Sequence, residues 1–242
     1  MKVSVILPTY NEAGNIVALI EAVRSRIPPP WEHEFIVVDD NSPDGTLQTV
    51  KAGYGNDPRV KTILRTSDRG LARSLHAGID QATGDHILMM DTDFTHPPED
   101  VPLLLHVAEK VDLVSGSRFC AGGGMPSRSR YLASFLFNVG VRLVLGSQVQ
   151  DHLNGFCVVR TELMRRLPLK DIFFGYGDCY TRLLFYLQRQ GAKIVEVPVR
   201  YGDRRSGSSK SNFPKMFIQY TARLLPLVFK RVTGSGPRRT RS

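Results

Sequence analysis

The 242-residue chain has three cysteines, no acidic residue after Asp203 and no long apolar run, and each shortage excludes something. Cys120, Cys157 and Cys179 are odd in number and show no CxxC or histidine spacing. That excludes a disulfide framework or a zinc site of the usual pattern and points to a reducing compartment. The opening MKVSVILPTYNE has one lysine and a largely apolar stretch of only five residues, VSVIL, too short for a signal peptide's apolar region, and reads as a first strand. No run of about 18 uninterrupted apolar residues occurs, so no transmembrane helix is expected. No GxGxxG follows the first strand, which disfavours a dinucleotide-binding enzyme, and the glycine-rich signature expected of a nucleotidyltransferase is missing there too. There is no GxxxxGK[ST] phosphate loop, no GxSxG and no nucleophile–base pair.

What is present suits one large globular domain: 42% hydrophobic and 23% charged residues supply a core and an ordinary surface. The net charge of +9 is unevenly placed. Residues 200–242 hold eleven of the 32 Lys/Arg and one of the 23 acids, leaving 21 bases against 22 acids in residues 1–199. The basic end implies an anionic partner: phosphates, a membrane surface or nucleic acid.

Short β-rich runs at 3–8, 34–40, 60–65, 86–91 and 111–118 alternate with helical stretches at 13–27, 44–54, 70–83 and 98–110. This pattern predicts an α/β fold with a mainly parallel sheet covered on both faces. Ligands in such sheets bind beyond the carboxyl ends of the strands, where this chain carries PTYNE, DDNSPDGT, DTDFTHPP and SGSR. The alternation fades after residue 120. A Gly/Ser/Arg loop (121–130) precedes a long apolar helix (131–146), and a second basic loop (201–212) precedes FPKMFIQYTARLLPLVFKRV. The boundaries drawn are 1–211 for a catalytic domain, 212–232 for an amphipathic segment contacting a membrane interface or a partner, and 233–242 for a disordered basic tail.

Asp91 and Asp93 stand one residue apart at the end of a buried strand, where alternate side chains face the same way. Hard cations such as Mg²⁺ and Mn²⁺ accept one or two carboxylates with diphosphate oxygens and water. The same residues also suit a helix start, with Asp93 or Thr95 as cap and Pro97 or Pro98 in the first turn. Asp40 is placed to accept a hydrogen bond from a nucleobase or ribose, although DDNSPDGT is also turn chemistry. Tyr10 and Glu12 are similarly placed, Glu12 equally suiting a helix N-terminus. Arg118, Arg128, Arg130, Arg204, Arg205 and Lys210 are solvated surface cations or, as arginine on flexible loops, phosphate ligands. His96 reads as a structural neighbour of the acidic turn.

Taken in order, PTYNE, VVDDNSPDGT, MDTDFTHPP, VSGSR and EVPVRYGDRRSGSSK resemble the dolichol-phosphate (polyprenol-phosphate) mannosyltransferases, inverting family-2 glycosyltransferases with the GT-A fold. The set spans residues 6–210, and DDNSPDGT with DxDxxHPP is its most specific part. The resemblance implies that Pro8, Tyr10, Glu12, Val38 and Asp40 hold the base and ribose of a nucleotide, usually GDP. It implies that Asp91, Thr92 and Asp93 lie against the sugar nucleotide, both aspartates binding Mg²⁺ or Mn²⁺, with Thr95 where some relatives have a further ligand. Arg118 would lie near the transferred sugar and phosphates, and Arg204 and Lys210 would clamp the diphosphate and acceptor phosphate, with Arg130 in the mobile loop. Asp93, Arg118, Arg204 and Lys210 are the implied catalytic set.

The implied reaction moves mannose from GDP-mannose to a dolichyl or polyprenyl phosphate, at the cytoplasmic face of a membrane contacted peripherally or through an anchoring partner subunit. A lipid phosphate is already an anion, so no strong general base is needed. Two segments depart from the family: NGFCVVR puts Cys157 where arginine is usual, and GYGDCYT puts Asp178 and Thr181 where an aromatic and an acid are usual. Both fall on the expected acceptor side, which keeps open another hexose such as glucose, or a non-lipid acceptor with Asp178 as base. Helix 131–146 and segment 213–232 would lie on anionic lipid, or pack internally or on another subunit. A nucleic-acid-binding protein is the remaining alternative. No aromatic-basic motif accompanies the tail, so no nucleic acid is expected as partner.

Overall fold

The computed structural model describes residues 1–202 and 213–234, the side chains of 213–217 excepted. Seven strands form one sheet: β1 (Lys2–Thr9), β2 (Glu32–Asp39), β3 (Val60–Leu64), β4 (His86–Met89), β5 (Leu113–Ser117), β6 (Cys157–Arg160) and β7 (Ile194–Pro198). Their order is β3-β2-β1-β4-β6-β5-β7, with β6 antiparallel to both neighbours and every other pair parallel. The first five strands and the helices between them, α1 (Ile16–Arg24), α2 (Thr46–Tyr54), α3 (Leu71–Gln81) and α4 (Val101–Ala108), fall where the sequence pattern puts them.

Period-two alternation divides the core in two. Val3, Val5 and Leu7 of β1 with Phe35 and Val37 of β2 face α1 and α4, while Ile6, Ile36 and Val38 face α3. Both faces are apolar because helices cover both, each buried aliphatic side chain contributing about 1.5–3 kcal/mol. Gly78 lets α3 lie close: a Cβ there would come within 2.5 Å of the Ile6 side chain.

The strand the sequence pattern did not reveal is β6. Met89 pairs with Cys157 and His86 with Arg160, so β6 runs backwards and its entry segment, residues 151–156, arrives at the edge where the parallel strands end. Cys157, fully buried in this ladder, occupies a core position, and burial pushes its thiol pKa up.

The second half adds α5 (Arg128–Leu145), α6 (Thr161–Arg165), α7 (Leu169–Ile172), α8 (Cys179–Arg189) and α9 (Phe213–Thr233). Helix α5 begins at Ser127, whose hydroxyl accepts from the Arg130 amide, and ends at Gly146 with φ 64°. Asn138, buried in its middle, accepts from the His152 amide (2.6 Å) and donates to the Ser134 carbonyl (2.8 Å). Helix α9 packs beside α5 and α8 through Leu224, Leu227 and Val228, which join the α3-side core cluster, and through polar groups. Arg223 pairs with Asp178 (2.8 Å), Lys230 donates to the Tyr186 hydroxyl, and Arg231 donates to the Leu143 and Val144 carbonyls at the end of α5. These three cations, expected to meet anionic lipid, are therefore bonded to protein. The outward surface of the pair is apolar instead: Leu132, Leu136 and Leu143 of α5 and Ile218, Leu225, Phe229 and Val232 of α9 are all more than half exposed. No described helix is long and apolar enough to cross a membrane. Residues 235–242 of the expected tail lie outside the described residues.

Candidate active site

The ends of β1, β2, β4, β5 and β7 and the entry to β6 share one edge of the sheet, and the candidate residues gather there. The two N-terminal motifs are cross-braced. Three successive amides of PTYNEA donate to side chains of DDNSPDGT: Asn11 to Ser42 Oγ (2.9 Å), Glu12 to Thr46 Oγ1 (2.9 Å) and Ala13 to Asp44 Oδ2 (3.0 Å). Asp44 also accepts from the Thr46 amide and hydroxyl. Burial opposes ionisation of Asp44, but these donors outweigh it and hold the pKa low. Asn11 and Asn41 take left-handed φ values of 61° and 57°, which asparagine tolerates.

Asp40 is buried and already well bonded. Its Oδ1 accepts from Arg65 (2.8 Å) and the Ser74 hydroxyl (2.7 Å), and its Oδ2 from the Gly70 amide (2.6 Å) that opens α3. Three of about four lone-pair sites are thus filled. Asp39 is tied inward to Thr9 and Ser42. Tyr10 is partly exposed, with the Arg69 guanidinium 4.8 Å over its ring, and Pro8 is half-buried beside it. Glu12 accepts from the Asn15 side chain (2.8 Å), one turn ahead of α1 rather than within it. Val38 does not reach the site through its side chain, which lies fully buried in the α3-facing core; its carbonyl accepts from the Thr9 hydroxyl (3.3 Å).

The acidic turn follows β4. Asp91 has a side chain 45% exposed, whereas Asp93 is buried. Asp93 Oδ1 accepts from the Thr95 amide (3.0 Å) and hydroxyl (2.6 Å), so Thr95 holds this carboxylate in place. Thr92 donates to the Pro8 carbonyl (3.3 Å), fastening the turn to β1. Phe94, buried with φ 65°, is a backbone conformation that a bulky residue seldom adopts. Pro98 then starts the helical turn into α4 with Pro97 at the cap position and no side-chain cap bond, so neither Asp93 nor Thr95 caps the helix as the sequence also allowed; they bond to each other instead. Among the described residues no group of three or more His, Cys, Asp or Glu could hold a metal. Two hard carboxylates on one turn, one of them half exposed, fit a divalent cation whose other ligands come from a diphosphate and water.

Arg118, at the end of β5, is nearly buried. Its Nε and Nη2 meet both oxygens of Asp151 at 2.7 Å, and its amide adds a third bond (3.1 Å). The guanidinium lies 4.9 Å over the Tyr201 ring. Asp151 escaped the sequence reading because nothing in DHLNGF marks it before β6 is known to run antiparallel. The Asp151 amide in turn donates to Glu196 (2.9 Å). Arg130 sits exposed on the first turn of α5. Arg204 and Lys210 fall outside the described residues. Asp178, considered as a base, instead opens α8 as its cap residue and pairs with Arg182 and Arg223.

The fold matches solved structures of Mycobacterium tuberculosis glucosyl-3-phosphoglycerate synthase. One, with Mn²⁺, uridine diphosphate and glucosyl-3-phosphoglycerate, has a TM-score of 0.73 at 22% identity over 94% of this chain and 80% of that one. Another, with Mg²⁺ and uridine diphosphate, scores 0.71 at 21% identity over 94% and 79%. The fold is therefore the GT-A glycosyltransferase fold. A Micrococcus luteus undecaprenyl-phosphate mannosyltransferase is 35% identical, covering 87% of each chain. The Saccharomyces cerevisiae dolichol-phosphate mannosyltransferase is 32% identical over 94% of this chain and 87% of its own. A dolichol-phosphate mannosyltransferase of Pyrococcus furiosus is 34% identical over 87% of this chain, which spans 59% of that longer protein. Glycosyl transferase family 2 matches residues 4–173, and with these relatives that places the chain: it belongs to glycosyl transferase family 2.

Proposed function

We propose that this protein transfers mannose from GDP-mannose to a dolichyl or polyprenyl phosphate, inverting the anomeric carbon. The observation that carries this reading is the half-exposed Asp91 beside buried Asp93 at the exit of β4, on a turn that Thr92 fastens to Pro8 of the braced PTYNE segment. The chemistry of the relatives in Micrococcus, yeast and Pyrococcus supports the choice of sugar and acceptor. A divalent cation, Mg²⁺ or Mn²⁺, would neutralise charge developing on the departing nucleoside diphosphate. Asp91 and Asp93 would hold it, with Thr95 fixing the Asp93 carboxylate. Tyr10, Glu12, Pro8 and Asp40 would line the nucleotide end, Asp40 through its remaining lone pair. Arg118 would form the floor near the sugar while staying paired with Asp151. Arg130, Arg204 and Lys210 are proposed on sequence grounds as phosphate ligands.

A phosphate monoester attacks as an anion, which suits a site where Asp178 is tied up in ion pairs instead of serving as base. The exposed apolar faces of α5 and α9 would rest on the membrane that carries the acceptor, through apolar burial more than through Arg223, Lys230 and Arg231. We place this contact on a cytoplasmic membrane face. Asp91→Ala and Asp93→Ala should each lower transfer by at least a thousandfold while leaving the circular dichroism spectrum unchanged. Mn²⁺-dependent transfer persisting in both variants would refute the assignment.

A further inference from the structure

His96 is wholly buried between Phe156, stacked on it at 4.9 Å, and the edge of Tyr201 at 5.2 Å. Its Nδ1 lies 2.8 Å from the Asp91 amide. A backbone amide can only donate, so Nδ1 is an acceptor and the ring proton sits on Nε2. Nε2 is 3.1 Å from the Tyr201 hydroxyl and 3.9 Å from Asp91 Oδ2, so its donor bond goes to tyrosine. The Tyr201 hydroxyl then donates to Asn154 Oδ1 (2.7 Å), and Asn154 Nδ2 donates to the Gly116 carbonyl. The result is a buried, directional chain from the backbone of Asp91 through β6's entry to β5. A second bond runs parallel to it: the Gly202 amide donates to the Thr95 carbonyl (3.0 Å), and a Cβ on Gly202 would come within 2.8 Å of the Phe94 carbonyl. Residues 201 and 202 therefore anchor the far end of the turn, at His96 and Thr95, and His96 ties that end back to the Asp91 amide.

We infer that His96 and Tyr201 are positioning residues for the metal-binding carboxylates, His96 fixing the Asp91 backbone and Tyr201 fixing His96. The inference rests on the metal-dependent reading of the site given above. Neither side chain is proposed as a ligand: the His96 nitrogens meet the Asp91 amide and the Tyr201 hydroxyl. Their effect is to hold Asp91, whose own side chain is half exposed, where it can share a cation with Asp93. Outer groups of this kind typically change metal affinity by about 10–100-fold when removed.

The test is Mn²⁺ binding to the full chain with saturating GDP, followed by electron paramagnetic resonance, beside GDP binding in EDTA followed by calorimetry. His96→Leu should weaken Mn²⁺ binding by about 10–100-fold. His96→Asn should recover part of this, because its amide oxygen can accept near the place of Nδ1. Tyr201→Phe, which deletes one oxygen and keeps the ring, should lose about tenfold. GDP binding without metal should stay within about twofold of wild type throughout, a split that general loosening of the fold would not produce. Wild-type Mn²⁺ affinity in folded His96→Leu, or equal losses with and without metal, would overturn the inference. Should His96→Leu not fold, Tyr201→Phe decides by the same criteria. A wild-type chain that fails to bind Mn²⁺ with GDP would instead overturn the metal reading, and the inference with it.

Discussion

Replacing Asp151 by alanine removes the only carboxylate bonded to Arg118 among the described residues, in a place where water cannot substitute. Asp151 is fully buried and the Arg118 side chain is 7% exposed. Two side-chain bonds of 2.7 Å and one amide bond of 3.1 Å disappear together, and the Leu153 amide loses its 3.2 Å contact with Oδ1. Breaking a buried pair from one side costs about 3–5 kcal/mol, because a charge is left without its partner. For a domain of this size, that corresponds to a fall in Tm of about 6–20 °C. Urea unfolding at neutral pH should show the midpoint lowered with little change in slope. Asp151→Asn keeps the shape and one acceptor and should lose less. The double variant Arg118→Met with Asp151→Leu should regain most of the stability, since neither charge is then stranded. A loss below about 1 kcal/mol in Asp151→Ala, the value of an exposed pair, would refute the reasoning.

Burial holds the His152 imidazole at a pKa of about 4, below its ordinary 6.5. The unfolded chain thus binds a proton that the folded chain refuses, so this group's stabilisation is complete above pH 6.5 and declines as pH falls toward 4. The loss reaches about 3 kcal/mol. Between pH 7 and 4.5, urea unfolding should show wild type losing about 2 kcal/mol more than His152→Gln; equal losses would contradict it. On the α9 surface, Leu225→Lys with Phe229→Lys should cut co-sedimentation with phospholipid vesicles at least tenfold, since each buried apolar side chain contributes about 1.5–3 kcal/mol. Unchanged binding would move the membrane contact elsewhere.

The first five strands were legible because short apolar runs alternating with amphipathic helices, with turn chemistry between them, have few other solutions. The β6 segment was not: four residues carry too little periodicity to separate a central strand from a loop, and its antiparallel direction is set only by the gap it fills between β4 and β5. That missing strand hid Asp151 and Asn154, which reach the site edge through it. The acidic turn could be located in the sequence, but residue type left it open between cation site and helix start, and the role of Thr95 toward Asp93 and of His96 toward Asp91 depends on a few ångströms of turn geometry. Val38 was placed at the site by motif position, but strand alternation turns its side chain into the core. Whether the α9 segment lay on anionic lipid or packed inward was open, because sequence gives charge without direction; here α5 and α8 supply the carbonyls, carboxylate and hydroxyl that its cations bond.

A donor and acceptor screen bears on the reaction itself. Purified protein with Mn²⁺ is incubated with labelled GDP-mannose, UDP-glucose and other sugar nucleotides, each with and without dolichyl or undecaprenyl phosphate. The expected result is organic-soluble label from GDP-mannose that requires the lipid phosphate and carries the inverted, β-linked mannose. Preferential transfer from another sugar nucleotide, or equal transfer to a water-soluble hydroxyl acceptor, would contradict it.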